Sequence, residues 1–184
     1  MVNGGMGRDG LSLSSNDFEL FGFPQQFDID TAALDQTWKQ LQKQVHPDQF
    51  SAQGAADKRL AMQWSVRVNE AYQRLKHPVR RAAYLCELHG EPVNAEHNTR
   101  MPSEFLIQQM QWREELEESI EARQIEQLQH QVRQEKNLLL QQCAQAIDQA
   151  SDHSLASQKV RALMFIERFE QDLDNRLEHL DNIS

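Results

Sequence analysis

Only two cysteines, five prolines and seven glycines occur in 184 residues, and each scarcity excludes something. Cys86 and Cys143 lie far apart, each in a helix-like stretch, so they read as free thiols of a reducing compartment rather than a disulfide or a zinc site. Few breakers among abundant Gln, Glu, Leu and Ala favour helix over sheet, and an all-α chain is expected. No apolar run approaches the roughly 20 residues that span a bilayer. The opening MVNGGMGRDGLSLSS has no apolar core for secretion and a single Arg, against organelle import. A cytoplasmic chain with a disordered tail over residues 1–15 and no membrane partner is expected.

A basic excess is also missing. Residues 1–90 hold 10 Lys and Arg against 10 Asp and Glu, whereas residues 91–184 hold 9 against 18, so the net charge of −9 arises in the second half. Such a half repels phosphate backbones, and nucleic acid is not expected as a partner.

What remains is helical periodicity. NDFELFGFP suits one short turn, capped by Asn16 or Asp17 and stopped by Gly22 and Pro24. Asp30 can cap a helix from about Thr31 to Val45 whose stripe is Leu34, Trp38, Leu41 and Val45. A longer helix from about Ala55 to Leu75 carries Leu60, Trp64, Val68, Ala71 and Leu75. The short connection makes these two an antiparallel hairpin. Pro78 starts a further helix ended by Gly90. The first module therefore covers 16–90, and EPVNAEHNTRMPS, with two prolines, reads as a linker over 91–103. A second module over 104–184 holds three helices. These run from about Glu104 to Ala122, capped by Ser103; from about Gln124 to Ala150, through Ile125, Leu128, Val132, Leu139, Cys143 and Ala146; and from about Leu155 to Leu180, through Leu163, Ile166, Leu173 and Leu177. Together they form a bundle or antiparallel coiled coil.

The hairpin tip contains KQVHPDQF. Pro47 fixes its own φ and pushes His46 out of the helical region, so the preceding helix stops near Val45 and His46 and Asp48 sit on a rigid protrusion. Lys39 and Lys43, four apart and off the apolar stripe, give it a cationic flank. General-base or metal chemistry at the tip would need a nucleophile, a closed pocket or further ligands. None is visible, and His77, His89, His97, His130, His153 and His179 form no defensible site with carboxylates on one helical face, so each reads as a surface or capping residue. No Gly-rich phosphate loop is present either. The chain reads as neither an enzyme nor a cofactor protein.

The helix from Glu104 has two apolar sides. At 100° per residue Phe105, Trp112, Leu116 and Ile120 form one stripe for the bundle to bury. Leu106, Ile107 and Met110 fall on another side, continued by Glu114, Glu117 and Glu118. The second face either packs under the linker or the first module, or is a docking surface with apolar anchors and an acidic rim. Phe165 lies to the side of its own stripe, as a core edge or a further anchor.

A basic helix, a His46-Pro47-Asp48 loop and a long following helix, over residues 16–76, resemble a J domain, the module through which co-chaperones stimulate DnaK-class ATPases. Val45 and Gln49 stand where many J domains have Tyr and Lys, which removes one positive charge from the tip. NDFELFG, HPDQF, RVNEAYQRLKHPVRRAAYLCELHG and FLIQQMQWREELEE together look like the HscB family, J-type co-chaperones of bacterial iron–sulphur cluster assembly. Residues 1–15 lack the cysteine-pair zinc module of some eukaryotic members. The resemblance implies a J domain joined to a C-terminal three-helix bundle that holds a cluster scaffold of the IscU type and presents it to a chaperone of the HscA type. It assigns chaperone binding to Lys39, Lys43, His46, Pro47 and Asp48. It assigns scaffold binding to Leu106, Ile107, Met110, Gln111, Glu114, Glu118 and Phe165, with Gln111 where relatives can have an acid. A monomer or weak dimer is expected. A general J co-chaperone for unfolded clients and a structural self-association module are the alternatives.

Overall fold

The computed structural model describes residues 12–45, 54–93 and 101–181. Among these every regular element is helical: α1 (Asp17–Phe21), α2 (Thr31–Val45), α3 (Ala55–Lys76), α4 (Pro78–Leu88), α5 (Ser103–Glu118), α6 (Ala122–Ala144), a π-helical turn (Gln145–Gln149) and α7 (His153–Asp181). The chain divides into two compact units, Met1–Arg81 and Ala82–Ser184. No helix among the described residues is long and apolar enough to cross a membrane.

In the first unit Asn16, not Asp17, caps α1. Its side chain accepts the Glu19 N–H at 2.9 Å while the Glu19 carboxylate accepts the Asn16 N–H at 3.1 Å, a reciprocal capping box. Gly22, at φ 73°, ends the helix in the left-handed region. Asp17 instead points inward, fully buried, with Arg67 at 2.7 Å and Arg74 at 2.9 Å. Arg67 also donates to the carbonyls of Leu13 and Ser15. Residues 12–15, read from sequence as the end of a loose tail, are thereby a turn tied to α3.

Asp30 starts α2 by accepting the N–H groups of Ala32 and Ala33. The hairpin is antiparallel, because partners run in opposite order along the two helices. Asp35 takes Lys76 at 2.7 Å and the Tyr72 hydroxyl at 2.9 Å, Trp38 stacks on Tyr72 at 4.7 Å, and Gln42 donates to Asn69 at 2.7 Å. Leu34, Leu41 and Val45 of α2 share the core with Ala61, Trp64, Val68, Ala71 and Leu75 of α3. Trp38 is only half-buried, its indole N–H satisfied by Asn69. The buried Arg81 closes the unit by donating to the carbonyls of Phe27 and Leu75.

The second unit is built on an antiparallel α6/α7 pair. Gln129–Asp174, Lys136–Glu170 and Cys143–Ala156 again run in opposite order. Ile125, Leu128, Val132, Leu139 and Cys143 share the core with Val160, Leu163, Ile166, Phe169 and Leu173. The single helix expected up to Ala150 is α6 followed by the π turn, which buries Ala146 and Ile147 before Ser151, at φ 52°, redirects the chain. Cys86 and Cys143 are free and buried, and burial pushes their thiols up to about 11 and about 12, so neither has thiolate character at neutral pH. His89 and His153 stack at 3.8 Å. Burial first, then His89, lowers the His153 pKa. The unfolded chain therefore binds more protons, and stability declines as pH falls from the ordinary histidine value of 6.5.

Three expectations for α5 fail. Ser103 is its first residue, not its cap, with Pro102 preceding it. The helix ends at Glu118, because the Ser119 hydroxyl donates to the Glu115 carbonyl at 2.7 Å while Gln124 takes the N–H groups of Ile120 and Glu121 and restarts the chain as α6. Ile120, placed by periodicity in the buried stripe, is 74% exposed.

Asp17→Asn removes the charge that two guanidiniums share inside the first unit, and should lower its unfolding free energy by about 3 kcal/mol. Denaturant unfolding followed by tryptophan fluorescence measures this, and a loss below about 1 kcal/mol would show that the pair is replaceable.

Candidate functional site

Among the described residues no group of three or more His, Cys, Asp or Glu could hold a metal ion. The chemistry-bearing features are instead two surfaces, one on each unit.

On the first unit, Leu34, Leu41 and Val45 face the core and leave Lys39 and Lys43 exposed together on the outer side of α2. Lys76 is engaged elsewhere. Its hydrogen bond to Asp35, followed by that from Tyr72, holds the Asp35 carboxyl below its ordinary range, and the same Asp35 contact raises Lys76. His46, Pro47 and Asp48 lie outside the described residues, which stop at Val45 and resume at Gly54.

On the second unit, the inner side of α5 is fixed by aromatic contacts to α7. Phe105 meets Trp112 and Phe165 edge-on at 6.5 and 6.1 Å, Trp112 stacks on Phe169 at 5.9 Å, and Phe169 lies parallel to Phe165 at 6.4 Å. Phe105, Gln109 and Trp112 are buried. Gln109, sandwiched between the two aromatics in sequence, donates to the Met101 sulphur at 3.5 Å.

Since α5 cannot turn its other side inward as well, Leu106, Ile107 and Met110 are 42%, 56% and 70% exposed. Gln111, Glu114, Glu117 and Glu118 are exposed beside them. The result is an apolar strip with carboxylates at one end, the composition of a protein-docking patch. Phe165 is half-buried: it edges the aromatic core, and part of it reaches the surface.

Sequence reasoning missed Phe169, only 1% exposed, and Arg113, whose guanidinium lies over the Phe165 ring at 5.4 Å. The spacings Phe165/Phe169 and Phe105/Trp112, four and seven apart, were the available signal for an aromatic seam. Nothing in the spacing of Arg113 distinguishes it from a solvated charge.

A family model described as the HSCB C-terminal oligomerisation domain matches residues 101–174. The co-chaperone protein HscB homolog of Paraburkholderia phymatum is 45% identical over 174 residues, 93% of this chain and 99% of that one. The homolog of Burkholderia multivorans is 44% identical over the same shares. Among solved structures, the chaperone HscB from Vibrio cholerae is 32% identical with a TM-score of 0.78, over 90% of this chain and 99% of that one. The human co-chaperone protein HscB is 26% identical with a TM-score of 0.85, over 92% and 84%.

The two sides of α5 should respond oppositely to truncation. Trp112→Ala opens a cavity in the aromatic seam and should cost about 3–5 kcal/mol, whereas Met110→Ser on the exposed side should change stability by no more than about 0.5 kcal/mol. Thermal unfolding followed by circular dichroism compares them, and equal losses would contradict the assignment of faces.

Proposed function

Because the chain belongs to the HscB family of co-chaperones, with its N-terminal J domain and C-terminal helical bundle, we propose that it is a non-enzymatic adaptor for iron–sulphur cluster transfer. Its second unit takes up a cluster scaffold of the IscU type through Leu106, Ile107, Met110, Gln111, Glu114, Glu118 and Phe165. Its first docks on a DnaK-class chaperone of the HscA type through Lys39, Lys43 and the His46-Pro47-Asp48 tip, and stimulates that partner's ATPase. The chaperone, not this chain, carries the nucleotide, and hydrolysis favours release of the cluster to acceptor proteins.

The observation that carries this reading is the exposed apolar strip on a helix whose opposite side is locked into the bundle. Three solvent-facing apolar side chains in succession on one helix side are costly to leave unpartnered and mark an interaction site. The match to an oligomerisation domain favours a second reading, in which the same strip joins two copies of this chain. Sedimentation of the protein alone at several concentrations separates the two.

In calorimetric titration the full chain should bind the scaffold saturably, and Leu106→Ser with Met110→Ser should abolish binding while helicity is unchanged. His46→Gln, by contrast, should leave scaffold binding intact and remove stimulation of the chaperone ATPase. Undiminished scaffold binding by the double variant would exclude the α5 face, and undiminished ATPase stimulation by His46→Gln would exclude the tip.

A further inference from the structure

One charge on the α5 face has the wrong sign for an acidic rim. Arg113 is exposed, and at 100° per residue it falls about 20° from Leu106, seven positions earlier, so it lies on the Leu106 flank of the apolar strip. Glu114, Glu117 and Glu118 follow it directly. Yet no carboxylate among the described residues pairs with it, and the guanidinium reaches across to lie over the Phe165 ring at 5.4 Å. Glu117 sits four residues on, but an Arg placed N-terminal to its acid is the weaker order for a helical pair.

The ring contact consumes none of the five N–H donors of the guanidinium. It does restrict the side chain, and a guanidinium is weakly hydrated for a cation, so its donor fork is held ready with less entropy left to lose on binding. Phe165 in turn has Phe169 parallel to it and Phe105 against its edge. With Arg113 over the ring, an approaching protein meets the guanidinium before it meets Phe165.

Resting on the reading that the α5 face binds a folded protein, we propose that Arg113 is a specificity-determining residue of that face. Its guanidinium receives a carboxylate of the docking protein in a two-point hydrogen-bonded pair, with Phe165 as the platform that positions it. The partner surface this fits is apolar, with one acid set against Arg113 and bases opposite Glu114 and Glu118. A uniformly basic surface, which a plain acidic rim would favour, fits less well, because it places a cation on Arg113.

Calorimetric titration of the full chain with the IscU-type scaffold tests this with three variants of unchanged helicity. Arg113→Met keeps the stem and removes the charge, and should weaken binding by at least about tenfold. Arg113→Lys keeps a charge without the fork, and should also weaken it. Phe165→Leu should weaken it too, and combining it with Arg113→Met should cost clearly less than the sum of the two, since the ring also acts through the Arg113 pair. Parental or tighter binding by Arg113→Met would overturn the proposal, as would full affinity in Arg113→Lys or simple additivity of the Arg113 and Phe165 changes. If the parent does not bind the scaffold, the reading of the whole face fails and this inference with it. If the parent binds, and Leu106→Ser with Met110→Ser abolishes binding while Arg113→Met does not weaken it, only the role of Arg113 fails.

Discussion

The aromatic seam between α5 and α7 decides which side of α5 folding uses. Phe105, Trp112, Phe165 and Phe169 touch one another in sequence across the two helices, and large aromatic pairs contribute through both buried area and ring geometry. Once Phe105 and Trp112 face α7, the remaining apolar residues of α5 have no interior left to enter. Leu106, Ile107 and Met110 are exposed as a consequence of packing, not through a lack of packing around them.

The first unit follows the same logic with different forces. A buried Asp17 shared by Arg67 and Arg74, the Trp38/Tyr72 stack and the apolar stripes of α2 and α3 hold the hairpin together. Lys76 is neutralised by Asp35, so the cationic outer side of α2 is left to Lys39 and Lys43. One unit thus offers a cationic helix flank and the other an apolar strip with an acidic end. Two unlike surfaces in one chain suit an adaptor, because tethering raises the effective concentration of one bound partner at the other without any new contact.

Much of this was legible from residue order. The start of α2 at Thr31 follows from Asp30, a strong local signal that tertiary packing did not override, and the apolar stripes placed the two hairpin helices at about Thr31–Val45 and from about Ala55. The second face of α5 followed from periodicity because three apolar residues stood outside the stripe. The end of α5 did not, since a Ser hydroxyl taking a carbonyl four residues back and a Gln reaching back to two amides are contests between local hydrogen bonds that hydrophobic spacing does not register. The π turn after Ala144 was hidden for the same reason, as Ala146 and Ile147 fit an uninterrupted helix equally well. Arg113 was invisible because its ring partner lies on another helix.

The most direct test of an adaptor is whether its two surfaces must belong to the same molecule. Chaperone ATPase activity should be measured with scaffold present, adding either the intact protein or an equimolar mixture of the His46→Gln chain and the Leu106→Ser, Met110→Ser chain. Action in cis predicts that the mixture, although it contains one good copy of each surface, fails to reach the stimulation given by the intact protein with scaffold. Full stimulation by the mixture at the same concentration would contradict a tethering role and leave the two units as independent activities.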